Sequence, residues 1–293
     1  MGFHLASCQA LIHARKRLGV DFARCLTLGR QEIFLRTSEL RGIATAQGVP
    51  ATDLAPLDRF SRYAEPWFEI LGAQSVESMD ASDYEQATII HDLNSPVPVE
   101  LHGRFSCVVD GGTIEHVFHF PNAIRSCMDM LEVGGHYLAL TPGNNQMGHG
   151  FYQFSPELYF RLFCAENGFE MRTMMVRAAK DWYEVTDPKV LGERIELVNA
   201  APVTLFIVAR KTRQVGTFHT PQQSDYVSAW SSGTTRPPGE APPAVGQVRS
   251  VVRKVLPTRL KTLLRRAQAL ARPVEEVEGL GTIDPRHYRR MEL

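Results

Sequence analysis

No stretch of this 293-residue chain approaches the ~20 consecutive apolar residues that a membrane-spanning helix needs, and the longest candidates are strand-length pieces such as Val203 to Ala209. That argues against an integral membrane protein. Cysteine is sparse: Cys8, Cys25, Cys107, Cys127 and Cys164 are odd in number and scattered, with no CxxC pair, so neither a zinc ribbon nor dithiol chemistry is expected. Buried thiols in a reducing cytosol fit them better. The opening MGFHLASCQALIHARKRLG lacks an unbroken apolar core and a cleavage pattern, so it reads as a first helix rather than a secretory signal, and Gly2 lacks the Ser or Thr that myristoylation requires. There is no GxGxxG turn, no P-loop lysine motif, no GxSxG elbow and no HExxH, which argues against dehydrogenase, nucleotide triphosphatase, serine hydrolase and zinc peptidase chemistry.

Net charge is also lacking, with 32 Lys and Arg against 32 Asp and Glu, but the charge is unevenly placed. Residues 213–293 hold 13 basic against 7 acidic residues, which leaves 19 against 25 for residues 1–212. An acidic body lacks the clustered positive charge that phosphate backbones require, so no nucleic acid partner is expected and a small-molecule substrate is. The length suits one main domain with appendages.

What is present is concentrated between Phe105 and Asn145. Phe105 to Val109 is an apolar, β-rich run ending in Asp110-Gly111-Gly112-Thr113; an amphipathic helix follows, and Tyr137 to Leu140 is a second buried strand ending in Thr141-Pro142-Gly143. Strand, polar turn, helix, glycine turn and strand describe half of a nucleotide-binding α/β sheet, whose ligands lie beyond the carboxyl ends of the strands. Elsewhere, Leu5 to Leu18 has helical spacing with a basic end and Gly19 as its stop. Strands are predicted at Arg24 to Leu28, Gln74 to Met79, Ala87 to His91, Glu170 to Val176 and Val203 to Arg210. Asp58 to Leu71, with Phe60, Tyr63, Trp67 and Phe68, reads as an aromatic amphipathic helix, and Ser155-Pro156-Glu157 as the capped start of another.

Thr113-Ile114-Glu115-His116-Val117, the helix through Met130-Leu131, and Gly134-Gly135-His136-Tyr137-Leu138 resemble the later half of class I S-adenosylmethionine-dependent methyltransferases, over roughly residues 23 to 210. The resemblance implies a Rossmann-like, doubly wound α/β fold with a mostly parallel seven-stranded sheet and an antiparallel last strand. It also implies S-adenosylmethionine as cofactor, with contacts at Gly29, Asp80, Asp92, Asp110, Gly111 and Glu115, the carboxylates of Asp80 and Asp92 serving the ribose hydroxyls and the adenine amino group. The first turn departs from the family pattern. Thr27 stands where an acid is expected, and only Gly29 remains of the glycines that let the backbone approach the methionine part of the cofactor.

The activity so implied is methyl transfer to a small-molecule or sugar-type acceptor; the alternative is a catalytically inactive relative that keeps the fold as a binding or scaffold protein. Methyl transfer from a sulfonium depends chiefly on alignment, with a base needed for an alcohol or protonated amine. His116, after the fourth strand, and His149, in the GHGFYQFSPE loop after the fifth, are the candidate bases, with Tyr152 beside them. His116 and His119 could share a helix face near Glu115, but two histidines leave a coordination shell incomplete, and no metal site is expected.

The expected organisation is a methyltransferase-like domain over 1–211 with a helical insertion near 36–72, a Pro/Ser/Thr-rich linker over 212–246, and a basic amphipathic helical tail over 247–293. Gly246 to Arg272 carries eight Lys or Arg and no acid, a composition suited to peripheral contact with an anionic membrane or an acidic protein.

Overall fold

The computed structural model describes residues 2–231, 275–277, 281–291 and 293, and the Gly246 to Arg272 helix expected from sequence lies outside them. The helices are α1 (Leu5–Arg17), α2 (Thr37–Ala46), α3 (Glu65–Ile70), α4 (Phe120–Met130), α5 (Pro156–Leu162), α6 (Pro188–Leu191) and α7 (Ser224–Ser231). One sheet is built from β1 (Arg24–Leu28), β2 (Ser75–Asp80), β3 (Ile89–Ile90), β4 (Phe105–Asp110), β5 (Leu131–Pro142), β6 (Phe169–Ala178), β7 (Asp181–Val185), β8 (Val203–Lys211) and β9 (Tyr288–Met291).

The spatial order is β9-β7-β6-β8-β5-β4-β1-β2-β3. From β3 to β5 the pairs are parallel, and β8 then inserts antiparallel between β5 and β6. Strand order reverses between β1 and β4, the switch point at which ligands of open α/β sheets bind.

Period-two alternation sends side chains into two cores. Leu26, Val108, Tyr137, Ala139, Leu205 and Ile207 face one, with α4 and α5. Cys25, Cys107, Val109, Leu138, Phe206 and Val208 face the other, with α1, α2 and α3. Every residue of β4 is buried, so it reads as a continuous apolar run, as a parallel strand covered on both faces should. α4 starts with Pro121 in its first turn and buries Ala123, Ile124, Cys127, Met128 and Met130, a helical stripe against β4 and β5.

Three expectations are corrected. The sheet has nine strands rather than seven, because β7 forms a hairpin with β6 and β9 pairs with β7. β7 is five residues long, and β9 reads YRRM, too short and too charged to show a buried period; Tyr288 alone of that strand is deeply buried. Second, β9 draws part of the expected helical tail into the sheet. Third, the continuous helix from Asp58 to Leu71 is broken: a 3-10 stretch at Ala51–Arg59 and α3 flank an irregular link, and Trp67 and Phe68 are core residues. Within the stretch read as linker, Asn167 receives the backbone N–H of His219 and donates to its carbonyl, and α7 follows.

No helix among the described residues is long and apolar enough to cross a membrane.

His136, on β5, is 4% exposed, and burial first, then the charges of Arg210 and Arg172, lower its pKa to about 4 against the opposing charge of Asp21. The folded chain therefore resists a proton that the unfolded chain takes up near pH 6.5, so this contribution is intact above about pH 6.5 and is lost as pH falls toward 4. Roughly 2–3 kcal/mol of unfolding free energy should disappear across that window, and His136→Gln should flatten the loss. Urea midpoints at both ends of the window, in both proteins, measure it; equal slopes would remove His136 as the cause.

Candidate active site

β4 delivers Asp110 to the sheet edge, and the chain then turns sharply because this buried carboxylate gathers the backbone donors that follow it. Its Oδ1 accepts from the N–H groups of Gly112 (3.2 Å), Thr113 (2.8 Å) and Ile114 (3.4 Å), and its Oδ2 from the Tyr137 hydroxyl at 3.3 Å. Burial lifts its pKa to about 6 in spite of those donors. Asp110 therefore shapes the turn, with three backbone donors on one carboxylate oxygen and the Tyr137 hydroxyl on the other. Thr113 ties the turn to β1 by donating its hydroxyl to the Leu28 carbonyl at 2.7 Å.

The turn places Glu115 beneath the rim with its side chain fully buried. Its Oε2 accepts from the Thr141 hydroxyl at 3.2 Å. Oε1 has no hydrogen-bond partner among the described residues and faces the His149 Nε2 at 3.3 Å. Burial, and then the Asp110 charge, raise the Glu115 pKa to about 8, while burial and His149 lower that of His116. The His116 and His149 rings stand edge to face, 5.1 Å between centroids. The GHGFYQ loop reaches this close because Gly150 has φ +71° and no side chain: a Cβ there would lie 2.8 Å from the Glu115 carbonyl. That carbonyl accepts from Phe151 N–H at 2.7 Å and from Tyr152 N–H at 3.3 Å.

The structure thus brings together Glu115, His116 and His149. Tyr152 lies alongside, but its hydroxyl is spent on the Phe118 carbonyl at 2.7 Å. His119 is not part of this group: its backbone N–H donates to Asn94 Oδ1, and its ring packs against Phe118. Phe118 and Phe151 are exposed and form a T-shaped pair at 6.4 Å, each two residues along the chain from one of the histidines.

On the other side of the switch point, Asp80 ends β2 with one backbone donor, Ser82 N–H, on its carboxylate. Asp92 closes an Asx turn on Asn94, whose N–H and amide both meet Oδ1; these bonds hold its pKa below the usual carboxylate range. Gly29 joins β1 to β2 through its N–H on the Met79 carbonyl at 2.7 Å.

Between the two sides stands Gln31, which, with Arg30, is one of the two side chains of the first turn that the sequence places to fill the space of the methionine part. It is 2% exposed, donates its amide to the Leu28 carbonyl, and leaves Oε1 without a partner among the described residues. It packs on Gly111 so tightly that a Cβ there would collide with the Gln31 oxygen and lie 2.9 Å from the Phe3 ring. Arg30 is drawn away, to Glu65 at 2.7 Å and over the Tyr63 ring at 3.9 Å. Phe3 and Thr141 are the contributors missed, and nothing local to Phe3 signalled it.

No family model matches the chain, and no curated protein matches it. Solved structures do. A methyltransferase-type protein of Bacillus halodurans C-125 is 10% identical over 70% of this chain and 99% of its own, at a TM-score of 0.41. A protein of Listeria monocytogenes described as S-adenosylmethionine-dependent methyltransferase-type is 12% identical over 70% and 99%, at 0.37. The 1,6-didemethyltoxoflavin-N1-methyltransferase of Burkholderia thailandensis, solved with S-adenosylhomocysteine, is 13% identical over 71% and 78%, at 0.36. The strand order, with five parallel strands and an antiparallel strand inserted before the sixth, makes the fold class I methyltransferase-like.

Proposed function

We propose that the chain transfers a methyl group from S-adenosylmethionine to a small-molecule or sugar-type acceptor at the switch-point rim. The observation that carries this reading is the placement of Asp80 on one side of the β1/β4 reversal and of the Glu115, His116 and His149 group on the other. The adenosine half of the cofactor suits the first side, where the Asp80 carboxylate can accept from ribose hydroxyls. The methionine half meets Gln31, which has to turn aside, and one hydrogen bond holds that amide. When bound, the cofactor supplies a methyl group on a sulfonium. The residues of the chain align the acceptor: Phe118 and Phe151 offer apolar faces of the kind on which a sugar or flat ring lies, beside the polar Glu115 and His149.

A second reading, a binding or scaffold protein without turnover, is favoured by one observation, the Gln31 side chain standing in the crevice. Titration calorimetry with S-adenosylhomocysteine separates the two. Saturable binding, weakened about tenfold or more by Asp80→Ala through loss of charge-assisted hydrogen bonds, supports methyl transfer. No heat and no thermal shift at millimolar ligand would leave the scaffold reading.

A further inference from the structure

We propose that Glu115, His116 and His149 bind one divalent first-row transition ion of the zinc type, with an open coordination position facing solvent. One donor atom from each of the three lies within 4.8 Å of the others. The Glu115 Oε1 and His149 Nε2 are already 3.3 Å apart. That is close to the ~3.4 Å that bonds of about 2.0–2.1 Å require between neighbouring donors of a tetrahedral ion. A donor nitrogen of His116 lies within 4.8 Å of both, and both imidazoles are exposed.

The buried carboxylate supplies an independent reason. An acceptor oxygen removed from water without a well-formed hydrogen bond costs about 1–3 kcal/mol, and Glu115 Oε1, which faces the His149 Nε2 at 3.3 Å but forms no hydrogen bond among the described residues, is such an atom. A cation between it and the imidazoles answers that deficit. The second oxygen is fixed by the Thr141 hydroxyl, the kind of outer contact that orients a metal-bound carboxylate. Two nitrogens and one oxygen select zinc, iron, cobalt or nickel over calcium and magnesium, which prefer oxygen shells. The other carboxylate–imidazole cluster, Glu193, Asp284 and His287, is a useful contrast: Arg286 lies against both acids there and already supplies the positive charge.

The ion would act as a Lewis acid on an acceptor hydroxyl bound at its open position and make that proton easier to lose, in place of a free histidine base. This consequence rests on the methyl-transfer reading; ion binding itself does not.

The test is a titration of the full-length chain, freed of metal by chelation, with Co2+ followed by visible absorption and with Zn2+ followed by calorimetry, in the absence of any S-adenosyl compound. The expected result is one ion per chain. His149→Ala, at an exposed position, should weaken binding about 100-fold or more without unfolding the chain, and Thr141→Val should weaken it about tenfold while keeping the stoichiometry. No uptake at millimolar ion overturns the proposal, and so does one ion bound by His149→Ala with unchanged affinity. Either failure would leave the binding of S-adenosylhomocysteine, measured separately without metal, unaffected.

Discussion

Gln31→Gly is expected to tighten S-adenosylhomocysteine binding by about 2- to 40-fold. In the native chain a ligand entering the β1/β4 crevice must displace a buried amide, breaking its bond to the Leu28 carbonyl and its packing on Gly111 and Phe3. One neutral hydrogen bond and the packing of a partly apolar side chain together amount to about 1.4–2.7 kcal/mol, and each 1.4 kcal/mol is tenfold in affinity. Glycine removes that displacement cost. It also loosens the turn, which returns about 0.5–1 kcal/mol of backbone entropy to the unliganded state, so the net gain is about 0.4–2.2 kcal/mol. Calorimetry of both proteins under one condition is decisive. A tighter variant identifies Gln31 as an occupant of the ligand's space; equal or weaker binding means that the ligand lies elsewhere, and the role given to Gln31 fails.

The same residue shows why the sheet was more legible from sequence than the site. β4, α4 and β5 are written in the chain as local patterns: an apolar run, a helical stripe beginning near a proline, and a second apolar run. Each declares itself without knowledge of its neighbours. β7 and β9 do not, because β9 is stabilised by antiparallel pairing with β7 across a sequence gap of about one hundred residues and exposes its arginines. Gln31, Phe3 and Gly111 meet only once the N-terminal strand Gly2–Phe3 pairs with Glu32–Ile33, a contact of two residues on each side that no periodicity marks. His116 and His149 were legible as rim residues because each follows a recognisable strand. For Glu115 the resemblance implies a cofactor contact, not the carboxylate facing these histidines. Whether Glu115 turns inward or outward is decided by the three N–H bonds to Asp110, a matter of backbone geometry rather than residue type. Asp92 illustrates the converse, since its place after a strand suggested a cofactor contact, while its nearest donors belong to its own turn.

Phe163→Ala should lower the unfolding free energy by about 3–5 kcal/mol, the range for removing a fully buried aromatic ring. Phe163 is 1% exposed and stacks on Tyr137 at 4.7 Å, with Tyr159 at 6.3 Å and Phe169 edge-on at 5.2 Å. Removal of the ring therefore opens a cavity bounded by other rings, which are too stiff to collapse into it, so the cost should lie in the upper part of the range. At roughly 2–4 °C per kcal/mol for a domain of this size, Tm should fall by about 6 °C or more. The effect should reach the rim as well, because Tyr137 is held between Phe163 and the Asp110 carboxylate that shapes the Glu115 turn. Tyr137→Phe separates the two contributions: it keeps the ring stack and loses only the hydroxyl bond, for about 1 kcal/mol. Thermal and urea unfolding of the two variants checks the assignment. A loss below about 1 kcal/mol for Phe163→Ala would mean that the rings repack around the gap, and that the Asp110 turn does not depend on this stack.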